Sequence, residues 1–170
     1  MKLKKDRQKI KIYISWTVVV LYLTMIFYFS SQDGTKSHRV SADLLQYLKL
    51  FVVMLPEGVQ KYLSKCLSDG YGNLEFILRK AAHFTEYFIL SFIFYRAVVV
   101  SGVRMKKSII VTLVFCFLYA VSDEVHQIFV PGRAFAVGDI IIDTLGAALG
   151  IIVIYFKNLI SGNIQHKKKH

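Results

Sequence analysis

The sequence predicts an all-α polytopic membrane protein, a four-transmembrane-helix bundle with a helical extracytoplasmic insertion. Hydrophobic residues make up 55% of the 170 residues, and only 2 residues are proline, an apolar content above that of most soluble domains. The chain also contains four apolar stretches of about 18 or more residues, the length that an α-helix needs to cross a bilayer. These predicted spans cover residues 12–29, 81–100, 108–130 and 136–156.

The first predicted span follows a strongly basic N-terminus and carries almost no polar side chain. Its end, Phe29-Ser30-Ser31-Gln32, offers no small-x-small cleavage pattern, so we expect a retained helix rather than a secretory signal. Because cytoplasmic flanks are enriched in Lys and Arg, the N-terminus is predicted to be cytoplasmic. Four spans then place the C-terminus there too, together with the other basic flanks: Arg96, Arg104, Lys106, Lys107, Lys157 and Lys167–Lys169.

Residues 31–78 form the predicted insertion, on the side opposite the termini. Ser41–Leu44 is typical of a helix start, Pro56 is expected to end or restart a helix, and residues 69–73 predict a turn. An apolar stripe predicts a helical face that packs either on the bundle or on the lipid interface. The stripe consists of Val59, Tyr62, Leu63, Cys66 and Leu67. No linker to a second domain is present, so residues 1–170 are predicted to form one membrane domain.

Polar clusters interrupt the second and third spans and open the fourth. An ionised side chain in the hydrocarbon layer is costly, so such residues normally face a bundle interior or a water-filled cavity. Since successive spans alternate in direction, all three clusters are predicted to meet at the same, outer end of the bundle. The clusters are Arg79, Lys80, His83 and Glu86; Ser122, Asp123, Glu124 and Gln127; and Asp139 and Asp143.

Helical spacing aligns these residues on one face of each span. At about 100° per residue, side chains four or seven positions apart share a face. Asp123 and Gln127 do so on the third span, flanked by Glu124 and His126. We expect these faces to be packed, because small-xxx-small patterns such as that of the fourth span allow close helix approach. The other aligned sets are Arg79, His83 and Glu86, and Asp139, Asp143, Gly146 and Gly150.

The predicted site holds more acids than fixed cations. Its fixed cations are Arg79, Lys80 and Arg133. Three alternatives balance the excess: a protonated His83 or His126, a carboxylic acid that stays neutral, or a bound cation or cationic ligand. Groups in such surroundings are candidates for general acid or base roles. The acids are Glu86, Asp123, Glu124, Asp139 and Asp143.

Four segments of the chain resemble the VanZ-like membrane proteins. The family pattern reads approximately K-x-x-H-F-x-E-Y, S-D-E-x-x-Q, P-G-R and D-x-x-x-[ND]-x-x-G, and this chain matches it in order and spacing. Where many relatives have Asn, this chain has Asp143, which adds one acid. The matching segments are residues 29–34, 79–87, 122–133 and 139–146, so the resemblance extends across almost the whole chain.

The resemblance implies a multi-pass protein of the bacterial plasma membrane, in a family of Gram-positive cell-envelope proteins with no established reaction. The founding member lowers susceptibility to the lipoglycopeptide antibiotic teicoplanin more than to vancomycin. The shared motif residues, carried over to this chain, are Lys80, His83, Glu86, Asp123, Glu124, Gln127, Arg133, Asp139 and Asp143.

Three hypotheses account for the polar residues. In the first, an outward-facing polar pocket holds a membrane lipid or lipid-linked envelope precursor. The cationic side chains of Arg79, Lys80 and Arg133 then hold its phosphate through charge-assisted hydrogen bonds. In the second, a membrane-embedded enzyme acts on a lipid-linked or acylated envelope substrate, with His83 as base, Glu86 or Asp123 orienting it and Arg133 stabilising a developing anion. In the third, the residues only fix helix register. The ligand-binding candidates are Arg79, Lys80, Glu124, Gln127, Arg133, Asp139 and Asp143.

No metal, cofactor or oligomeric state is assigned from the sequence. The candidate metal ligands match no specific zinc signature. The net charge of +11 does not indicate nucleic-acid binding, because the basic residues flank the spans and suit anionic inner-leaflet lipid. These candidate metal ligands are His83, Glu86, Asp123, His126 and Asp139.

Overall fold

The computed structural model describes residues 2–33, 43, 46, 47, 50–61 and 71–167. This part of the chain is helical and contains no strand, which confirms the predicted all-α class. Four long helices each carry a segment long and apolar enough to cross a membrane, so the predicted number of spans is confirmed. The helices are α1 (Lys2–Ser30), α2 (Tyr71–Val100), α3 (Met105–Gln127) and α4 (Val137–Lys167).

The helix bounds differ from the predicted ones where polar residues lie near the ends. The third span was predicted to continue to residue 130, but α3 ends at Gln127. Pro131 explains why the helix does not continue. Proline has no backbone N–H to donate, and its ring disfavours a helical conformation in the residue before it. Conversely, α2 begins at Tyr71, ten residues before the predicted span, because Arg79 and Lys80 are accommodated inside the helix.

The insertion is described only in part. Residues 50–53 and 57–61 are helical on either side of Pro56, which confirms that this proline ends one helical segment and precedes another. The predicted turn over residues 69–73 is wrong for its last three residues, which belong to α2. Val59 is exposed in the structure. The remaining stripe residues, and Ser41, Ala42 and Leu44 of the predicted helix start, lie outside the described residues.

Helix α2 is the centre of the bundle, since it packs against α1, α3 and α4. Hydrogen bonds fix the antiparallel arrangement of α1 and α2. Near the start of α1, the Gln8 side chain donates to the Val100 carbonyl at 2.8 Å and the Trp16 indole donates to the Ser101 hydroxyl at 3.0 Å. Further along α1, the Tyr22 hydroxyl donates to the backbone carbonyl of Glu86 at 3.1 Å. The end of α1 therefore lies beside the first half of α2.

The closest helix contact joins α2 to α4 through two glycines. A Cβ atom at Gly146 would lie 3.1 Å from the carbonyl carbon of Phe84 and still closer to its oxygen. At Gly150 a Cβ atom would lie 2.9 Å from the carbonyl oxygen of Phe88 and would collide with the Ser91 hydroxyl. Small residues permit this approach of backbones, which supplies much of the packing energy of helices in lipid. The prediction that the glycine edge of α4 is packed is confirmed.

Replacing Gly146 with Ala is expected to destabilise the bundle by about 1–3 kcal/mol, the usual cost of inserting a carbon into a packed interior. The added methyl meets backbone rather than a movable side chain, so the helices must separate. Thermal unfolding of the detergent-solubilised protein measures the loss. Gly138→Ala is the matched control, because a Cβ at Gly138 meets no atom within 4 Å. Equal melting temperatures for the two variants would contradict the close-contact interpretation.

Candidate functional site

The polar residues of all four helices meet at one end of the bundle, here called the polar end, where α1 and α3 end and α2 and α4 begin. Their burial is unusual for charged groups, which are rarely buried unless paired. Glu124 and Asp143 are 0% exposed and Asp123 is 5% exposed. The buried polar residues of this end are Ser30, Asp123, Glu124, Gln127, Asp139 and Asp143.

An ion pair between Lys80 and Asp139 joins α2 to α4. The Lys80 ammonium also lies 4.9 Å from the centre of the Phe76 ring, within the range of a cation–π contact. Asp139 belongs to the first turn of α4, where the helix dipole favours a negative charge. The structure therefore brings together two of the predicted ligand-binding residues as partners of each other.

Glu124 ties α3 to the connection that leads into α4. Its Oε2 atom accepts a hydrogen bond from the backbone N–H of Ala136 at 2.8 Å. One turn along α3, the Gln127 side chain donates to Asp123 Oδ2 at 3.4 Å, a long contact. These three α3 side chains are buried on one face of the helix, whereas Ser122 is exposed and takes no part in the cluster.

Arg133 lies in the connection between α3 and α4, after a tight turn. The Arg133 N–H donates to the Val130 carbonyl at 3.1 Å, and Gly132 has a φ of 72°. Proline followed by a glycine of positive φ is the pattern of a type II turn. The turn directs Arg133 toward the end of α1, where its Nε donates to the Gln32 carbonyl at 3.4 Å.

The guanidinium groups of Arg79 and Arg133 lie within electrostatic range of each other. Burial lowers the pKa of the Arg133 guanidinium, and the neighbouring positive charge of Arg79 lowers it further. Both groups remain cationic, because arginine does not lose its proton in proteins. Arg79 Nε is buried without a hydrogen-bond partner. Two like charges held together in a half-buried setting favour an anion between them.

His83 pairs with a different carboxylate from those predicted. Its Nδ1 lies 3.4 Å from Asp143 Oδ1, so Asp143 on α4, rather than Glu86 or Asp123, is the acid in position to orient the imidazole. The reason is the close approach of α2 and α4, which places these two side chains opposite each other. Glu86 and Asp123 lie further away but within electrostatic range of the pair.

Several buried polar atoms of the polar end have no hydrogen-bond partner among the described residues. Such atoms are rare in native structures, because each leaves a desolvation penalty uncompensated. They come from all four helices, and four of the nine are carboxylate oxygens. The atoms are Ser30 Oγ, Arg79 Nε, His83 Nδ1, Tyr87 OH, Asp123 Oδ1, Glu124 Oε1, His126 Nε2 and both carboxylate oxygens of Asp143.

Two further observations bear on residues considered from the sequence. The centre of the His126 ring lies 4.4 Å from the centre of the Phe27 ring, so His126 packs against α1. Within the described ranges no group of three or more His, Cys, Asp or Glu side chains has an arrangement that holds a metal ion.

Sequence reasoning missed the tyrosine hydrogen bonds that hold α1 against this end. Tyr119 on α3 donates to the Leu23 carbonyl at 2.8 Å, as Tyr22 does to Glu86. No spacing rule signals either contact, because each depends on how two helices are rotated against each other. The hydrogen bond that the Gln32 backbone carbonyl accepts from Arg133 was also not predicted.

Comparison with known proteins gives one match. The family model described as VanZ/LLP1 matches residues 15–159, a range that overlaps all four membrane spans and includes every residue of the polar end. No curated protein matches the chain. No solved structure matches it either.

Proposed function

Because the chain belongs to the VanZ-like family, we propose that it is a plasma-membrane protein whose polar end faces outward and holds the phosphate-bearing headgroup of an envelope lipid or lipid-linked precursor. The positive flanks of the other end support this orientation, since they favour the cytoplasm. The polar end then lies at the level of the outer headgroups, where a lipid can reach it sideways from the bilayer.

The observation that carries the proposal is that the Arg79 and Arg133 guanidiniums lie within electrostatic range of each other, with Arg79 Nε buried and without a hydrogen-bond partner among the described residues. Guanidinium groups bind phosphate through two parallel hydrogen bonds, and burial strengthens such charge-assisted contacts. A phosphate between them relieves their mutual repulsion. Lys80 is less available, because Asp139 already pairs with it. We therefore assign the phosphate contact to the two arginines rather than to the lysine.

Changing Arg79 and Arg133 together to Gln is expected to abolish copurification of phosphate-bearing lipid with the protein. Glutamine keeps hydrogen-bonding capacity but removes the charge that holds the phosphate. Mass spectrometry of lipids extracted from the purified protein measures the loss. Arg96→Gln is the matched control, because Arg96 lies on α2 near the opposite end and is exposed. Equal lipid recovery from the double variant and the parent would refute the assignment.

For the cell, we propose a role in envelope composition that lowers susceptibility to teicoplanin. A lipid-anchored drug docks beside its membrane target, so a protein that sequesters or redistributes headgroups changes the surface the drug meets. This proposal rests on membership of the family together with the headgroup site.

Expression of the chain in a susceptible Gram-positive host is expected to raise the inhibitory concentration of teicoplanin more than that of vancomycin. A Glu86→Gln variant at equal membrane abundance is expected to lose the protection, because Glu86 lies within electrostatic range of His83 and Asp143 in the buried cluster. Side-by-side inhibition assays measure both effects. Protection that survives the substitution would assign Glu86 a structural role, and a parent without protection would remove the drug-related proposal.

A second candidate function is acid–base catalysis on a lipid-linked or acylated substrate. The 3.4 Å approach of His83 Nδ1 to Asp143 Oδ1 favours it, since a carboxylate beside one imidazole nitrogen can orient the other nitrogen as a base. Arg133 then lies where it can stabilise a developing negative charge.

His83→Ala is expected to eliminate a modified lipid species from membranes of the expressing host if this second function holds. The imidazole is the proton acceptor, so its removal should lower the amount of product at least about a hundredfold, the usual contribution of such a group. Mass spectrometry of whole-membrane lipids makes the comparison. His126→Ala controls for loss of a histidine that packs on Phe27. A lipid profile shared by the parent, both variants and the empty host counts against catalysis.

A further inference from the structure

The charged residues of the polar end separate into two tiers along the helix axes. The rim tier consists of the charged residues of α2 and α4 that precede the inner ones by about one turn, Arg133 in the α3–α4 connection, and Glu124, whose side chain bonds to that connection at Ala136. The inner tier lies about one helical turn, ~5.4 Å, further into the bundle, since His83 follows Arg79 by four residues and Asp143 follows Asp139 by four. The rim tier is Arg79, Lys80, Glu124, Arg133 and Asp139, and the inner tier is His83, Glu86, Asp123 and Asp143.

The two tiers carry opposite net charge. The rim tier has three fixed cations and two acids, which leaves it positive. The inner tier has three acids and one histidine, so its formal charge with the acids ionised is negative whether or not His83 is protonated. Its members lie within electrostatic range of one another, as Asp143 and Asp123 do with His83. The site is therefore polarised, positive at its rim and negative one turn deeper.

The inner carboxylates have few hydrogen-bond donors among the described residues, and His83 Nδ1 approaches Asp143 Oδ1 at 3.4 Å without making a hydrogen bond. Asp143 is 0% exposed, and neither of its oxygens has a hydrogen-bond donor among the described residues. Asp123 is 5% exposed and its Oδ1 is likewise without a donor. Buried carboxylates of this kind require hydrogen bonds and positive charge. Buried acceptors without donors are suited to a group that donates several N–H bonds.

A phosphate bound at the rim makes this requirement stronger. The anion adds negative charge about one turn above three acids, which opposes its own binding. A ligand that also carries an ammonium group cancels that charge and supplies donors to the inner tier. Resting on the proposed headgroup site, we infer that the ligand is an aminoalkyl phosphate, with its phosphate between Arg79 and Arg133 and its primary ammonium directed to Asp123 and Asp143.

Aminoalkyl phosphates occur as zwitterionic lipid headgroups and as free phosphoethanolamine. A purely anionic headgroup lacks the ammonium and is therefore not the preferred ligand. An ammonium has three donors, enough for the open oxygens of two carboxylates. Hydrogen bonds to charged groups are the stronger kind, so the gain over a headgroup of equal size without the amine is expected to be about tenfold in binding.

The test uses the purified full-length chain in nanodiscs that contain equal amounts of phosphatidylethanolamine and phosphatidylglycerol. Native mass spectrometry of the protein released from the discs is expected to show the amine-bearing lipid retained about tenfold over the other. Asp123→Asn should reduce this preference to near equality while phosphate-bearing lipid is still bound. Asp143→Asn is a second variant for the same effect, should Asp123→Asn fail to fold. Asp6→Asn, an exposed acid on α1, controls for a change of net charge.

The outcomes separate the ligand class from the headgroup site itself. Equal retention of the two lipids by the parent, with both lost from the Arg79→Gln and Arg133→Gln double variant, overturns the aminoalkyl assignment and leaves the phosphate site standing. That result is expected if the inner acids are held neutral by protons alone. Retention of neither lipid by the parent overturns both. A preference that persists in both aspartate variants also overturns the inference.

Soluble phosphoethanolamine distinguishes the source of the headgroup. An increase in the melting temperature of the detergent-solubilised parent, absent from Asp123→Asn, supports the ligand chemistry and shows that no acyl chain is needed. Lipid preference in nanodiscs without an effect of the soluble compound supports the same chemistry carried by a membrane lipid.

Discussion

Burial of carboxylates between four helix ends is the constraint on which the rest of the structure depends. Glu124 and Asp143 have no access to water, so their charge must be met by groups from other parts of the chain. Two contacts of buried carboxylates also hold the elements of the bundle together. Lys80 pairs with Asp139 between α2 and α4, and Glu124 accepts a hydrogen bond from the backbone before α4. Electrostatics and helix register are therefore coupled.

The glycine contact between α2 and α4 makes the inner tier possible. Gly146 lets the α4 backbone approach the carbonyl of Phe84, and Phe84 directly follows His83. Since Asp143 lies on the same edge of α4, less than one turn before Gly146, the approach that buries the glycine also carries Asp143 to 3.4 Å from His83. An apolar packing feature within the bundle thus determines the partner of a charged side chain.

The polar end is only partly satisfied by the protein itself. Fully connected polar networks stabilise a fold, whereas a network with open members costs free energy that simpler apolar packing would avoid. Among the open members are three carboxylate oxygens of the inner tier, on Asp123 and Asp143, and the Nε atom of Arg79 at the rim. Retention of strongly polar groups at such a cost is typical of sites that bind or react. Their separation by charge gives the site a direction along the bundle axis.

The sequence by itself determined the class, the four spans and the helix face on which each charged residue lies, because hydrophobic length and the 3.6-residue repeat are local properties of the chain. It also placed the polar residues at one end, since alternating spans leave no other arrangement. Only the tertiary structure decided which acid meets which base. Asp143 rather than Glu86 or Asp123 lies beside His83, and Arg133 reaches Gln32, because those distances depend on the rotation and separation of elements that are far apart in sequence. The end of α3 at Gln127 was likewise set by the turn at Pro131, and α2 begins at Tyr71 and includes Arg79 and Lys80, which a hydropathy window does not register.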